Sequence, residues 1–111
     1  MITILHERWC VRFLLPLKDN NGNDFDIDLF DWVRQELLSK FGGFTIYPFS
    51  LEGGWIHPSS SIKYFDRTKM FEVTVEQNDT NEQFLKDFKL QLKNKFDQYE
   101  IYMIVNTVFK V

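Results

Sequence analysis

Few residues in this chain are equipped for chemistry, and they fall into three groups. The fullest is Trp55, His57, Tyr64 and Asp66, followed by Glu72, with Arg12 far upstream. Brought together, these side chains would supply an aromatic wall, a titratable imidazole, carboxylates and a guanidinium. That set can hold a small polar ligand or run general acid–base chemistry. The plainer reading of the same residues is a solvated hairpin with an Asp66-Arg67 turn and a surface histidine. The second group is His6 and Cys10, four apart, which share a face if the segment is a strand. With Glu7 or Glu100 to orient the ring they would outline a nucleophile and its base, although a free cysteine is more often a small buried hydrophobe. The third group is Asp19, Asn21 and Asn23, whose alternating oxygens resemble the start of a calcium loop. Glycine falls at 22 instead of 24, however, and Phe30 stands where a bidentate Glu belongs. Zinc is also disfavoured, because His6, His57 and Cys10 lack the close spacings of zinc motifs. No metal, no cofactor and no assigned catalytic residue are therefore expected, and the balance leans away from an enzyme.

The elements that must position these residues follow from periodicity. Residues 3 to 17 alternate, with Trp9, Val11, Phe13 and Leu15 on one face and Cys10, Arg12 and Leu14 on the other, which predicts a strand. A polar loop, Lys18 to Asp24, leads into a helix over Ile27–Phe41, where Phe30, Val33, Leu37 and Phe41 recur at threes and fours. Asp24, Asp26 and Asp28 at its entrance are explained by capping and by the positive end of the helix dipole, without any metal. Gly42 and Gly43 supply the C-terminal turn. Phe44 to Tyr47 is a short strand ended by Pro48, and Glu52-Gly53-Gly54 is expected to turn before Trp55.

An irregular insert is expected at about 50–69, with at most a short extended piece at Ile62 to Phe65. Met70 to Glu76 alternates as a strand. Thr80 with Gln83 has the form of a capping box for a second helix between Asn81 and Phe96, its stripe running through Phe84, Leu85, Phe88 and Leu92. Leu90 lies off that stripe. The run Tyr99 to Val111 is apolar on both faces, as suits a central strand or one in a dimer interface.

That order, with the insert set aside, is βαββαβ. It predicts an α+β, ferredoxin-like sandwich in which two helices cover one face of a four-stranded antiparallel sheet. The 111 residues suffice for one domain, 1–111, and not for two. The second sheet face is then open, furnished by residues such as Trp9, Tyr47 and Tyr102 according to register.

The chain resembles a family of small bacterial ferredoxin-like proteins of unknown function. The resemblance rests on Phe41-Gly42-Gly43 followed by Phe44-Thr45, on Gly54-Trp55, on the strand Met70 to Glu76, and on Phe96 and Gln98 before the last strand, and it spans about residues 8 to 111. It implies architecture and no chemistry.

Twelve Phe, three Trp and four Tyr exceed what such a core needs, so some rings are expected at an interface or pocket, and a homodimer is the natural inference. A net charge of -3 with no basic cluster argues against nucleic acid and anionic membrane as partners; a net value does not exclude a local basic face. The third strand, MFEVTVE, is acidic where an RNA-recognition module would be basic. With one cysteine, no intrachain disulfide forms. No secretory leader pattern is seen, so a cytoplasmic location is expected, and Asn78-Asp79-Thr80 is discounted as a glycosylation site. Richness in Lys, Asn, Ile and Phe fits an AT-rich bacterial or phage genome. The expected function is that of a small interaction or regulatory protein binding another macromolecule, with a small-molecule binder or minor enzyme around Trp55 and His57 as the alternative.

Overall fold

The computed structural model describes residues 4–111. Its elements are β1 (His6–Pro16), α1 (Ile27–Phe41), β2 (Thr45–Ile46), β3 (Leu51–Ile56), β4 (Lys63–Val75), α2 (Asp79–Lys95) and β5 (Met103–Lys110). All strand pairs are antiparallel, in the order β2-β4-β1-β5, and β3 also pairs with β4. Among the described residues the protein is thus α+β, with two helices and a sheet of five strands where four were expected. Residue 3, which the alternation assigned to the first strand, lies outside the described residues.

Alternation in β1 places Val11, Phe13 and Leu15 on the core face, opposite Val73, Phe71 and Lys69 of β4. Val11, Phe13, Leu15, Phe71 and Val73, together with Val33 and Leu37 of α1 and Leu85, Phe88 and Leu92 of α2, form one buried cluster, so both helices cover the same sheet face. Phe88 ties the layers together: it meets Phe13 edge-on at 5.8 Å and stacks on Phe84 at 5.5 Å. Trp9 packs against this cluster, which corrects its expected place on the open face.

The helix ends show which capping signals the chain uses. Asp26 accepts the Asp28 N–H at 2.9 Å and starts α1. Gly42, at φ 77, turns the chain out while its N–H donates to the Leu38 carbonyl, a geometry that favours glycine. α2 starts differently from expectation. Its cap is Asn78, whose side chain accepts the Asn81 N–H at 2.8 Å, while Gln83 bonds Asp87 one turn on. The cap therefore lies two residues before Thr80, and the capping box does not form.

The largest departure concerns the segment expected to be irregular. Gly53 and Gly54 do not turn; they lie within β3 opposite Asp66 and Phe65, and Leu51 to Ile56 pairs with Thr68 to Lys63 throughout. β4 is accordingly a thirteen-residue strand. Its second half is central in the sheet, whereas its first half pairs with β3 alone and forms a two-stranded arm. The radius of gyration is 15.6 Å and the extents are 56 × 30 × 27 Å, against about 13 Å for a compact chain of this length. The turn comes at His57 to Ile62, closed by the His57 N–H to the Ile62 carbonyl at 2.9 Å. Among the described residues β5 is an edge strand paired only with β1, which corrects the central-strand alternative of the two expected for it, and Val105 and Phe109 on it are exposed.

Candidate functional site

The six candidate residues separate into two places. Arg12 and Glu72 meet on the open sheet face, where they are cross-strand partners. Arg12 Nε donates to Glu72 Oε1 at 2.7 Å, and the Tyr47 hydroxyl donates to the same oxygen at 2.9 Å. The Arg12 hydrogen bond, seconded by Tyr47, holds the Glu72 carboxyl below the usual carboxylate range, and the same contact keeps the guanidinium still more firmly protonated. Cys10 lies buried beside this pair, and loss of solvent raises its thiol pKa further than its charged neighbours do. The nucleophile imagined with His6 is therefore a suppressed thiol next to an acid that is already bonded.

Trp55, His57 and Tyr64 assemble on the arm. Trp55 and Tyr64 are cross-strand partners with ring centroids 4.9 Å apart and planes 19° apart. Tyr99, from the segment between α2 and β5, stacks on Trp55 at 5.9 Å and 10° and approaches His57 at 4.6 Å. Tyr64, Trp55 and Tyr99 thus form one stack, with the His57 ring tilted against Trp55 and Tyr99, and the group ties the arm to the body. His57 Nδ1 accepts the Ser59 N–H at 3.1 Å and the Ser60 N–H at 3.4 Å. Its lone pair therefore closes the hairpin tip, and the proton of the neutral ring sits on Nε2.

Between this stack and the end of the sheet lies a cleft of about 490 Å³, within the ordinary size range of small-molecule sites. Leu14, Pro16 and Ile101 give it an apolar side, Trp55 and Tyr102 an aromatic one, and Asp66, Glu52 and Glu100 contribute carboxyls. Gly53 sits opposite Asp66 and carries no side chain to fill the space. Burial raises the Asp66 carboxyl pKa. Glu100 behaves oppositely: the Lys89 ammonium at 3.1 Å, and then the Ile101 N–H, stabilise its charge and lower its pKa. Carboxyls of opposite tendency in one cleft are a recurrent feature of acid–base sites.

Arg12 and Glu72 do not line this cleft. Six positions along β4 separate Asp66 from Glu72, about 20 Å at strand rise, so the expected single constellation is corrected to two. Tyr99 and Tyr47 were missed. Nothing in the sequence separates Tyr99 from the strand that follows it, and the role of Tyr47 depends on the β2–β4 register. Among the described residues no group of three or more His, Cys, Asp or Glu is placed to hold a metal ion, and no helix is long and apolar enough to cross a membrane.

No protein-family model and no curated protein matches the chain, so the family resemblance stands on its motif residues alone. A solved structure of similar fold is a phage SAM lyase in complex with S-methyl-5'-thioadenosine. It aligns with a TM-score of 0.67 over 99% of this chain and 96% of that chain, at 9% identity. At that identity the likeness is one of fold.

Proposed function

We propose that this protein binds a small molecule in the Trp55 cleft, that the ligand is an adenosyl sulfonium or thioether, and that the activity is lyase cleavage of a sulfonium such as SAM. The observation that carries this reading is the cleft itself: Trp55, held by its stack, and Tyr102 beside a partly desolvated carboxyl, with a glycine opposite that leaves the space open. The fold likeness to a phage SAM lyase bound to S-methyl-5'-thioadenosine supports the choice of ligand. A sulfonium is drawn to aromatic faces and carboxylates, and a purine to a stacking surface. S-Methyl-5'-thioadenosine keeps the methyl, sulfur and adenosyl groups of SAM, so the bond that breaks joins sulfur to the amino-acid fragment. The bonding pair goes to sulfur, which becomes neutral. The fragment is quenched by its own carboxylate, which closes a lactone, or by loss of an adjacent proton to a carboxylate of the cleft, and no water is consumed. Because charge on sulfur disappears in this step, an apolar aromatic setting favours it over water.

In this reading the fold is ferredoxin-like, with β2 and β3 together taking the place of one edge strand, and a phage or bacterial source fits the composition. The test is calorimetric titration with S-methyl-5'-thioadenosine, together with chromatographic detection of its release from SAM, on the native protein and on Trp55→Ala and Asp66→Asn. Trp55→Ala is expected to weaken binding by about tenfold or more, the usual worth of one stacking ring. Absence of binding, and of product above the buffer blank, would refute the proposal.

A second reading, a homodimeric or partner-binding protein, is favoured by exposed apolar side chains on the arm and edge strand. Phe65 is 77% exposed and Phe109 64%. Light scattering coupled to size exclusion tests it: a dimer supports that reading, and a monomer at high concentration removes self-association from it.

A further inference from the structure

At the end of the sheet remote from the Trp55 cleft, three cations converge. Arg8 near the start of β1, Lys40 in the last turn of α1 and Lys110 at the end of β5 all line one hollow of about 600 Å³. Among the described residues none of the three belongs to an ion pair. Arg8 Nη1 donates to the neighbouring Glu7 carbonyl at 2.8 Å, and Lys40 Nζ lies 5.5 Å from the Phe84 ring centroid, contacts that leave both charges uncompensated. Glu76 is the sole carboxylate in the lining, and Asp79 and Glu82 of the first turn of α2 do not contribute to it. The hollow is thus net cationic in a chain whose net charge is -3. Thr74 and Thr80 add hydroxyl donors, and Lys110 also borders the adjoining hollow at Gly42, Gly43 and Thr45.

We propose that this hollow is a second binding site, for the phosphate group of a small phosphorylated molecule. A dianion matches one carboxylate set against three cations that approach from separate elements, and hydroxyls between them match its remaining acceptor oxygens. The cations gather in one hollow instead of running along a track, which suits a single phosphate and not the repeated phosphates of a nucleic acid. This inference does not depend on the Trp55 cleft.

The experiment is an amide-resolved NMR titration of the full chain with inorganic phosphate, against chloride at matched ionic strength. Shifts are expected at Thr80, Asn81 and Lys110 and around Gly42, with none at Trp55 or Tyr64. The double variant Arg8→Gln/Lys110→Gln should weaken binding by about tenfold or more, while Lys63→Gln on the arm leaves it unchanged. Equal shifts with chloride, shifts spread over all lysines, or undiminished affinity in the double variant would overturn the proposal. So would tighter binding of a short oligonucleotide per phosphate, with a steep salt dependence. The native titration localises the site even if the double variant fails to fold.

Discussion

Replacing Glu72 by Gln isolates the charge of the open-face cluster while keeping its shape. In the native protein two donors, Arg12 Nε and the Tyr47 hydroxyl, converge on one carboxylate oxygen at 2.7 and 2.9 Å. A hydrogen bond to a charged group contributes roughly 1 kcal/mol more than its neutral counterpart, so the two bonds together lose about 2 kcal/mol in the amide. The side chains of Arg12 and Glu72 are 32% and 25% exposed, and screening at that exposure trims the loss to about 1.2 kcal/mol. Unfolding entropy for 111 residues is about 0.23 kcal/mol/K, which converts this to a fall in Tm of about 5 °C at neutral pH.

The pH dependence fixes the cause. The folded-state pKa of Glu72 is depressed, chiefly by Arg12, so its stabilisation is complete above the ordinary carboxylate pKa and is lost as pH falls through the lower, folded value. The gap between native protein and Glu72→Gln should therefore be full at neutral pH and close in strong acid. Thermal unfolding followed by circular dichroism across that range measures it. No gap at neutral pH, or one that persists unchanged in acid, would refute the argument.

Two further outcomes follow from burial. Phe88→Ala removes a ring that is 1% exposed and packed on Phe13, Phe84 and Trp32; the expected loss is about 4 kcal/mol, read from urea denaturation. Cys10, 5% exposed and with its thiol pKa raised mainly by desolvation, should react with a thiol-directed reagent far more slowly at pH 8 than in denaturant; prompt labelling of the native protein would contradict its burial.

The sequence was readable wherever a residue's neighbours in space are its neighbours in the pattern. The apolar stripe Phe30, Val33, Leu37, Phe41 and the Gly42 stop define α1 from local spacing, and the residues of the Ile27–Phe41 helix follow from them. The α2 cap slipped because Asn78, Thr80 and Gln83 offer competing local hydrogen bonds, and Asn78 takes the Asn81 N–H. β3 was illegible for a longer-range reason. Two glycines in a row read as a turn, yet a Cβ on Gly54 would lie 3.1 Å from Phe65 Cδ1. The cross-strand phenylalanine ring covers the bare backbone, a pairing that depends on a residue eleven positions away. Likewise, sequence reasoning grouped Arg12 and Glu72 with Trp55, because a separation of sixty positions between Arg12 and Glu72 hid the register that joins them to Tyr47 and parts them from Trp55.

Continuity of β4 has a mechanical consequence. The β1–β4 register ends at Pro16 opposite Thr68; one further bond, from the Leu17 N–H to the Arg67 carbonyl at 3.0 Å, follows it, and the residues of β4 before Arg67 share their ladder with β3. None of the buried core cluster comes from the arm. Its outer rungs can consequently exchange their amide hydrogens by unzipping from the His57 tip while β1, the second half of β4 and both helices stay folded. The Tyr99 stack and the Arg67 bonds to Ser50 at 2.6 and 3.3 Å are the latches that oppose this. The wall of the proposed cleft thus belongs to the least cooperative part of the molecule, and whatever occupies the cleft would slow exchange in the arm before it raised the stability of the whole.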